Sequence, residues 1–344
     1  MPLPTVCIVT PALADANNGN WRTAERWQRF LAPCAQVRVA RNWDGEPDDA
    51  LVALHAGRSA GAVAAFRAAR PGAPLAVVMT GTDLYRDLAR GDTNVLHSLQ
   101  CASHVVVLQP EALRSLPAGV MPKARVIVQS ASRLVRRDKP RSRIHFVAVG
   151  HLRDEKDPLT LMRAVRRLPA VPPLRVTHIG RALDPALGEA ARRTMADTPV
   201  YRWVDALPAR AARLRIARAH ALVHMSRMEG GANVVIEALC SEVPVLASRI
   251  PGNLGLLGEG HGGYFPVGDD AALAELMLRF ARDPGFAGLL AAQAAALAPR
   301  FAPHVEAAAV RALLADLLAD AGRHRLPQSK SFPDLPPFEA PSAP

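Results

Sequence analysis

The sequence predicts an α/β protein in which two parallel β-sheets, each covered by helices on both faces, confront one another across a central cleft. Three observations predict it. Short β-branched runs alternate with helical stretches along most of the 344 residues, the pattern of parallel sheets buried on both sides. The alternation stops at a polar, basic stretch near residues 130–143 and then restarts, which places two sheets in series. The notable loops, after Thr10, Met79, Val149, Ile179 and His224, all follow strands, and open parallel sheets bind ligands beyond the carboxyl ends of their strands.

Element by element, the first strand is 5–10, short, β-branched and ended by Pro11. A polar loop at 15–20 leads into a helix over 21–31. Strands follow at 37–39, 51–55, 75–79, 105–108 and 126–128, with helices at 59–69 and 93–101 between them. The stretch 133–140 reads as a linker. Beyond it lie strand 144–149, helix 158–168, strand 175–179, helix 186–195, strand 200–203, helix 209–219, strand 221–224, helix 233–240, strand 243–247 and helices from 270 onward. The expected units are residues 1–135 and 136–300, a C-terminal helix at 301–322, and a proline-rich tail at 323–344 whose composition predicts disorder.

Composition narrows the function. A hydrophobic fraction of 49% suits buried sheets, and no apolar run reaches the length of a membrane helix. The N-terminus has no basic region ahead of its apolar stretch, so the expected setting is cytoplasmic, without integral membrane association. The formal charge of +11 raises nucleic acid as a partner. Arginine carries nearly all of it, scattered over helix faces, and the only lysines are Lys123, Lys139, Lys156 and Lys330. With no aromatic platform or zinc-finger spacing, a nucleic-acid partner is not expected; a general attraction to anionic substrates is. Cys7, Cys34, Cys101 and Cys240 show no paired spacing, and their neighbours suggest buried thiols.

Two segments carry chemistry. In Glu229-Gly230-Gly231-Ala232-Asn233-Val234-Val235-Ile236-Glu237, two acids bracket a glycine pair that opens a helix. Glycines allow close backbone approach, and free N–H groups at Ala232 to Val234 can bind phosphate. Glu237, one turn inside and on the face of Asn233, can point at a ribose. Read alone, the segment is equally a glycine-rich turn between two solvated acids. The second runs from strand 144–149 through Gly150 and His151 to Lys156, whose compact ammonium suits the oxygens of a departing diphosphate. A surface lysine beside acids is the plainer alternative.

Together these segments resemble the retaining glycosyltransferases of GT-B architecture, two Rossmann-like domains facing a cleft, over roughly residues 5–300. That family is marked by Glu-x7-Glu and a preceding Gly-Arg-Leu-x-x-x-Lys turn. The resemblance implies that Lys156 contacts the β-phosphate, Glu237 the ribose hydroxyls and Glu229 the donor sugar, with Lys156 and Glu229 as the catalytic pair. It puts Gly180, Arg181 and Val204 around the base, and Gly150, His151, Gly230, Gly231, Ala232, Asn233 and Val234 around the diphosphate. His151 stands where the family has arginine and gives a weaker, pH-dependent clamp.

The N-terminal half, with 11–24, 54–60 and 80–85, resembles a narrower group, the selenosugar synthases of selenoneine biosynthesis. This implies a UDP-sugar and selenophosphate as substrates, with Asn18, Gly19, Asn20, Arg22, Thr23 and Thr82 binding the acceptor. Backbone N–H groups, a hydroxyl and a guanidinium in one turn suit a small phosphate-like anion; a capped loop with a solvated Arg22 is the alternative. No cofactor is expected, and without an Asp-x-Asp pattern no metal either. Trp21 and Trp27 read as core residues.

Overall fold

The computed structural model describes residues 2–13, 19–136, 138–140, 142–169 and 173–323. The first sheet comprises β1 (Thr5–Val9), β2 (Gln36–Ala40), β3 (Ala50–Leu54), β4 (Leu75–Val78), β5 (His104–Val107) and β6 (Ala124–Val126) in the order β2-β1-β3-β4-β5-β6. Every neighbouring pair is parallel. Helices α1 (Gly19–Leu31), α2 (Ala60–Ala69) and α3 (Thr93–Cys101) connect the strands. The second sheet comprises β7 (Ile144–Val149), β8 (Leu174–Ile179), β9 (Tyr201–Val204), β10 (Ala221–His224), β11 (Val245–Ser248) and β12 (Tyr264–Phe265), ordered β12-β11-β10-β7-β8-β9 and again parallel. Around it lie α4 (Pro158–Arg166), α5 (Pro185–Asp197), α6 (Ala209–Arg218), α7 (Asn233–Leu239), α8 (Pro251–Leu257), α9 (Asp270–Arg282) and α10 (Pro284–Leu297). The last helix is α11 (Pro303–Arg323).

Side-chain alternation explains the layers. In β1, Cys7 and Val9 pack with Phe66 of α2 and Leu99 of α3, while Val6 and Ile8 pack with Trp27 of α1 and Leu313 of α11. Successive strand residues point to opposite faces, so a strand covered on both sides, like β1, is apolar on both. Strand order reverses between β1 and β3 in one sheet and between β7 and β10 in the other. Such switch points open a crevice at the strands' carboxyl ends, which is where Lys156 and the 225–237 segment fall.

The last helix returns to the first sheet. Buried Glu306 of α11 accepts Arg26 Nε at 2.7 Å, Trp27 Nε1 at 2.9 Å, and Ser130 N and Oγ at 2.8 and 2.6 Å. One carboxylate thereby joins α11, α1 and the segment leaving β6.

Several expectations shift. The strand expected at 126–128 is Ala124–Val126, and the helix expected from 21 begins at Gly19. Helix α8 and strand β12 were not legible. Pro is favoured in a first helical turn, and Pro251 opens α8. Its glycines are there for contact: a Cβ on Gly252 would lie 2.2 Å from Glu229 O, and one on Gly255 1.8 Å from Gln109 Oε1. Cys7 and Cys240 are buried, whereas Cys34 and Cys101 are only half-buried. Burial pushes the Cys7 thiol up to about 12. No helix among the described residues is long and apolar enough to cross a membrane. The tail expected from 323 lies outside the described residues beyond Arg323.

Candidate active site

Lys156 is delivered by the turn after β7. Residues Asp154–Lys156 form one 3-10 turn, Asp157 adopts φ +45°, and Pro158 opens α4. Asp157 is buried and accepts the Thr160 hydroxyl at 2.7 Å, which fixes this left-handed corner. Gly180, after β8, packs so tightly on the turn that a Cβ would lie 2.0 Å from Gly150 O. Gly180 N donates to Val204 O at 3.1 Å, and Gly180 O accepts Trp203 Nε1 at 2.8 Å. Gly150, His151, Gly180 and Val204 thus sit together at the ends of β7, β8 and β9, with Arg181 exposed beside them.

Lys156 Nζ reaches across to β10 and pairs with Glu229 Oε1. The same oxygen accepts Ser226 Oγ at 2.7 Å and His224 Nε2 at 3.2 Å. Burial opposes the charge on Glu229, but Lys156 and the hydrogen bond from His224 outweigh it and hold the carboxyl far below the usual carboxylate range. The surface-lysine alternative therefore fails: the Lys156 side chain is 20% exposed and points inward.

Glu237 stands in α7 under different conditions. Its nearest cation is Arg213, with Nε 3.9 Å away. Burial pushes its carboxyl up to about 7, against the pull of Arg213, Arg22 and Arg26. The last two belong to α1, so the first domain sets part of the field at this glutamate. Ala232 caps α7 without a side-chain hydrogen bond, so its first-turn N–H groups take no acceptor from the capping residue.

His151 also has a structural contact. Its Nδ1 accepts Arg181 N at 3.1 Å. Burial lowers its pKa, with Arg153, Arg181 and Lys156 adding to the effect, so near neutral pH the ring is uncharged.

The glycine pair also has a role its spacing did not reveal. A Cβ on Gly230 would lie 2.6 Å from Thr80 C, and one on Gly81 2.9 Å from Gly230 N. A Cβ on Gly231 would meet Gln129 Oε1 at 2.8 Å and Leu108 Cβ at 2.9 Å. The pair lets the two domains touch, backbone to backbone, beside Glu229. Arg86 adds a 3.1 Å ion pair to Glu155 along the same seam.

On the first domain, Asp83 is fully buried and accepts Ala56 N, Thr80 N and Thr80 Oγ1, each at 2.7 Å. His55, at φ +70°, accepts Arg58 N through Nδ1 at 3.3 Å. Its Nε2 therefore carries the proton and donates to Thr82 Oγ1 at 3.0 Å, which leaves the Thr82 hydroxyl its own proton to donate. Neither His55 nor Asp83 was assigned from sequence; their signal was position at the ends of β3 and β4.

The acceptor residues on α1 are only partly assembled. Asn18 lies outside the described residues. Gly19 and Asn20 form the first turn of the helix rather than a loop before it. A Cβ on Gly19 would lie 3.4 Å from Asn233 Nδ2, so this turn abuts the start of α7. Arg22 pairs with Glu25 at 3.2 Å. Thr23 is a correction: it is buried, its hydroxyl donates to Gly19 O at 2.9 Å and accepts Gln129 Nε2 at 2.5 Å. It holds the helix to the interdomain segment and is not offered to a ligand. Trp27 is core, as read, and Trp21 half-buried.

Two facing parallel-sheet domains with a lysine and a Glu-x7-Glu segment at their junction define a GT-B glycosyltransferase fold. Residues 135–296 match the family described as "Glycosyl transferases group 1". The chain is 27% identical over 157 residues to glycosyltransferase 1 domain-containing protein 1 of Xenopus tropicalis, covering 45% of this chain and 44% of that protein. The chain thus spans under half the length of this relative. Among solved structures it resembles Anabaena HepE in complex with UDP and glucose, with a TM-score of 0.70 and 15% identity over 91% of this chain and 100% of that one. Sucrose-phosphate synthase from Thermosynechococcus elongatus gives 0.75 and 17% over 92% and 100%.

Proposed function

We propose that the protein transfers a hexosyl group from a UDP-sugar, UDP-N-acetylglucosamine or a similar donor, to the selenium of selenophosphate. The observation that carries the donor half is the half-buried Lys156–Glu229 pair beside the first turn of α7, with Glu237 on that same helix. The Anabaena protein of like fold holds UDP with glucose, which agrees with a UDP-hexose here. In this reading Glu237 binds the ribose, Gly180, Arg181 and Val204 border the base, and Gly150 with Ala232 to Val234 border the diphosphate.

As the anomeric C–O bond breaks, its electron pair leaves on UDP. Lys156 and the α7 N–H groups stabilise that charge, a contribution of about several kcal/mol in such sites. Selenium forms the new bond to the anomeric carbon and has no proton to lose, so no general base is required. Cleavage of the P–Se bond by water, after the transfer or together with it, releases phosphate. Thr82, its hydroxyl oriented by His55, is the acceptor contact on the first domain.

A sugar or lipid hydroxyl is the second acceptor reading. The internal engagement of Thr23 and the Arg22–Glu25 pair favour it, because they withdraw donors from the expected anion site. Mass spectrometry of products from purified protein, with EDTA present, separates the two. UDP-sugar plus selenophosphate should yield a selenium-containing sugar, UDP and phosphate. Product only from hexose, inositol or lipid acceptors removes selenophosphate and keeps the donor half; no UDP release with any acceptor removes both.

A further inference from the structure

We infer that His224 and Ser226 are positioning residues that load one oxygen of Glu229 and thereby reserve the other for the donor hexose. The inference rests on the donor reading above and adds residues that sequence and family resemblance left unassigned. The hydrogen bonds that described residues make to Glu229 all land on Oε1: Lys156 Nζ, Ser226 Oγ at 2.7 Å and His224 Nε2 at 3.2 Å. A carboxylate oxygen offers about two lone-pair sites, so Oε1 is saturated and a sugar hydroxyl must be accepted by Oε2. The side chain is 12% exposed, enough to present one oxygen at the seam.

The two residues are suited to this and to little else. His224 ends β10 with 3% of its surface exposed, and its Nδ1 is buried without a partner. Glu229 is held ionised and can only accept, so Nε2 must donate. The loop beneath is clamped in turn. Ser248 Oγ donates to Ser226 O at 2.5 Å, Asn253 Nδ2 donates to Ser248 O at 2.8 Å, and Gly252 of α8 presses on the Glu229 backbone. Lys156 serves the departing diphosphate as well. His224 and Ser226 have the single task of keeping the carboxylate in place when that ammonium is shared.

The test separates sugar recognition from nucleotide recognition. Dissociation constants for UDP, UDP-glucose and UDP-N-acetylglucosamine are measured by titration calorimetry on the full chain. His224→Phe should leave UDP within about twofold while raising the ratio of UDP-sugar to UDP dissociation constants by about fivefold or more, as expected for losing roughly one hydrogen bond's worth of alignment. His224→Gln, whose amide can donate from near the Nε2 position, should restore most of that ratio. Ser226→Ala should move it the same way by a smaller factor, and serves if the phenylalanine variant fails to fold by near-ultraviolet circular dichroism. Equal weakening of UDP and UDP-sugar, or a glutamine variant as poor as phenylalanine, overturns the inference and leaves the donor reading standing. Wild-type protein that binds neither UDP nor UDP-sugar overturns the donor reading itself.

Discussion

Glu229 lies under three donors on a single oxygen, whereas Glu237, in the adjoining helix, has as its nearest cation one guanidinium 3.9 Å away. The first is held ionised far below its usual range; the second is pushed by burial up to about 7. Residue type and spacing made them look like a matched pair, but neighbours from other elements divide their roles. Glu229 cannot take up a proton near neutrality and acts as a fixed anion. Glu237 changes charge in the physiological range, so the ribose contact proposed for it depends on pH.

The largest expected effect comes from breaking the Glu229 corner. Lys156→Ala should lower kcat by roughly 100- to 1000-fold, the range seen when one transition-state donor is lost, with a smaller change in KM. Steady-state kinetics decides; a change confined to KM would make Lys156 a binding residue.

Breaking the other corner should cost affinity. Glu237→Gln is expected to weaken UDP binding by roughly 1.5–3 kcal/mol, the value of a hydrogen bond to a charged group. The wild type supplies the finer test. The carboxyl is ionised above about 7 and protonated below it, so the Glu237 contribution is present at pH 8 and lost as pH falls through 7. Calorimetry should show affinity declining by at most about tenfold per unit in excess of the glutamine variant. Equal pH profiles would take Glu237 out of the site.

The seam between the corners is tested by Gly230→Ala. Its Cβ would lie 2.6 Å from Thr80 C, an overpacking expected to cost about 1–3 kcal/mol. A lower melting temperature or a larger radius of gyration in solution scattering reports it; neither changing means the backbones part freely. The smallest effect belongs to Arg22→Ala. The side chain is 36% exposed and its field is screened, so UDP affinity should stay within about twofold, read by the same calorimetry. A larger loss would make Arg22 part of the donor site.

The strands were legible because Val6 to Val9 or Leu51 to Leu54 are apolar without alternation, as is usual for parallel strands covered on both faces. The 229–237 segment and Lys156 were legible because a glycine pair at a helix start and a lysine after a strand are local patterns. The two glycines' true neighbours, Thr80, Leu108 and Gln129, come from a distant stretch of chain, so spacing suggested a ligand where the structure has the other domain. Thr23 misled for the same reason, since its partner is Gln129. His224 showed only its position at the end of a strand, because its contact depends on a carboxylate brought round by the following loop.

The order in which this chain leaves the ribosome follows from where α11 lies. One face of the first sheet is covered by α1 and α11, through Trp27, Leu31, Val310, Leu313, Leu314 and Leu317, although some 180 residues separate β6 from α11. Half of that roof is synthesised only after the second domain. Until residues 303–323 emerge, the nascent first domain carries an uncovered aliphatic surface through the whole synthesis of the second. Tight folding of the N-terminal half is therefore a late event, and a ribosome-bound chain halted at residue 300 should be far more sensitive to protease in its first domain than the released protein.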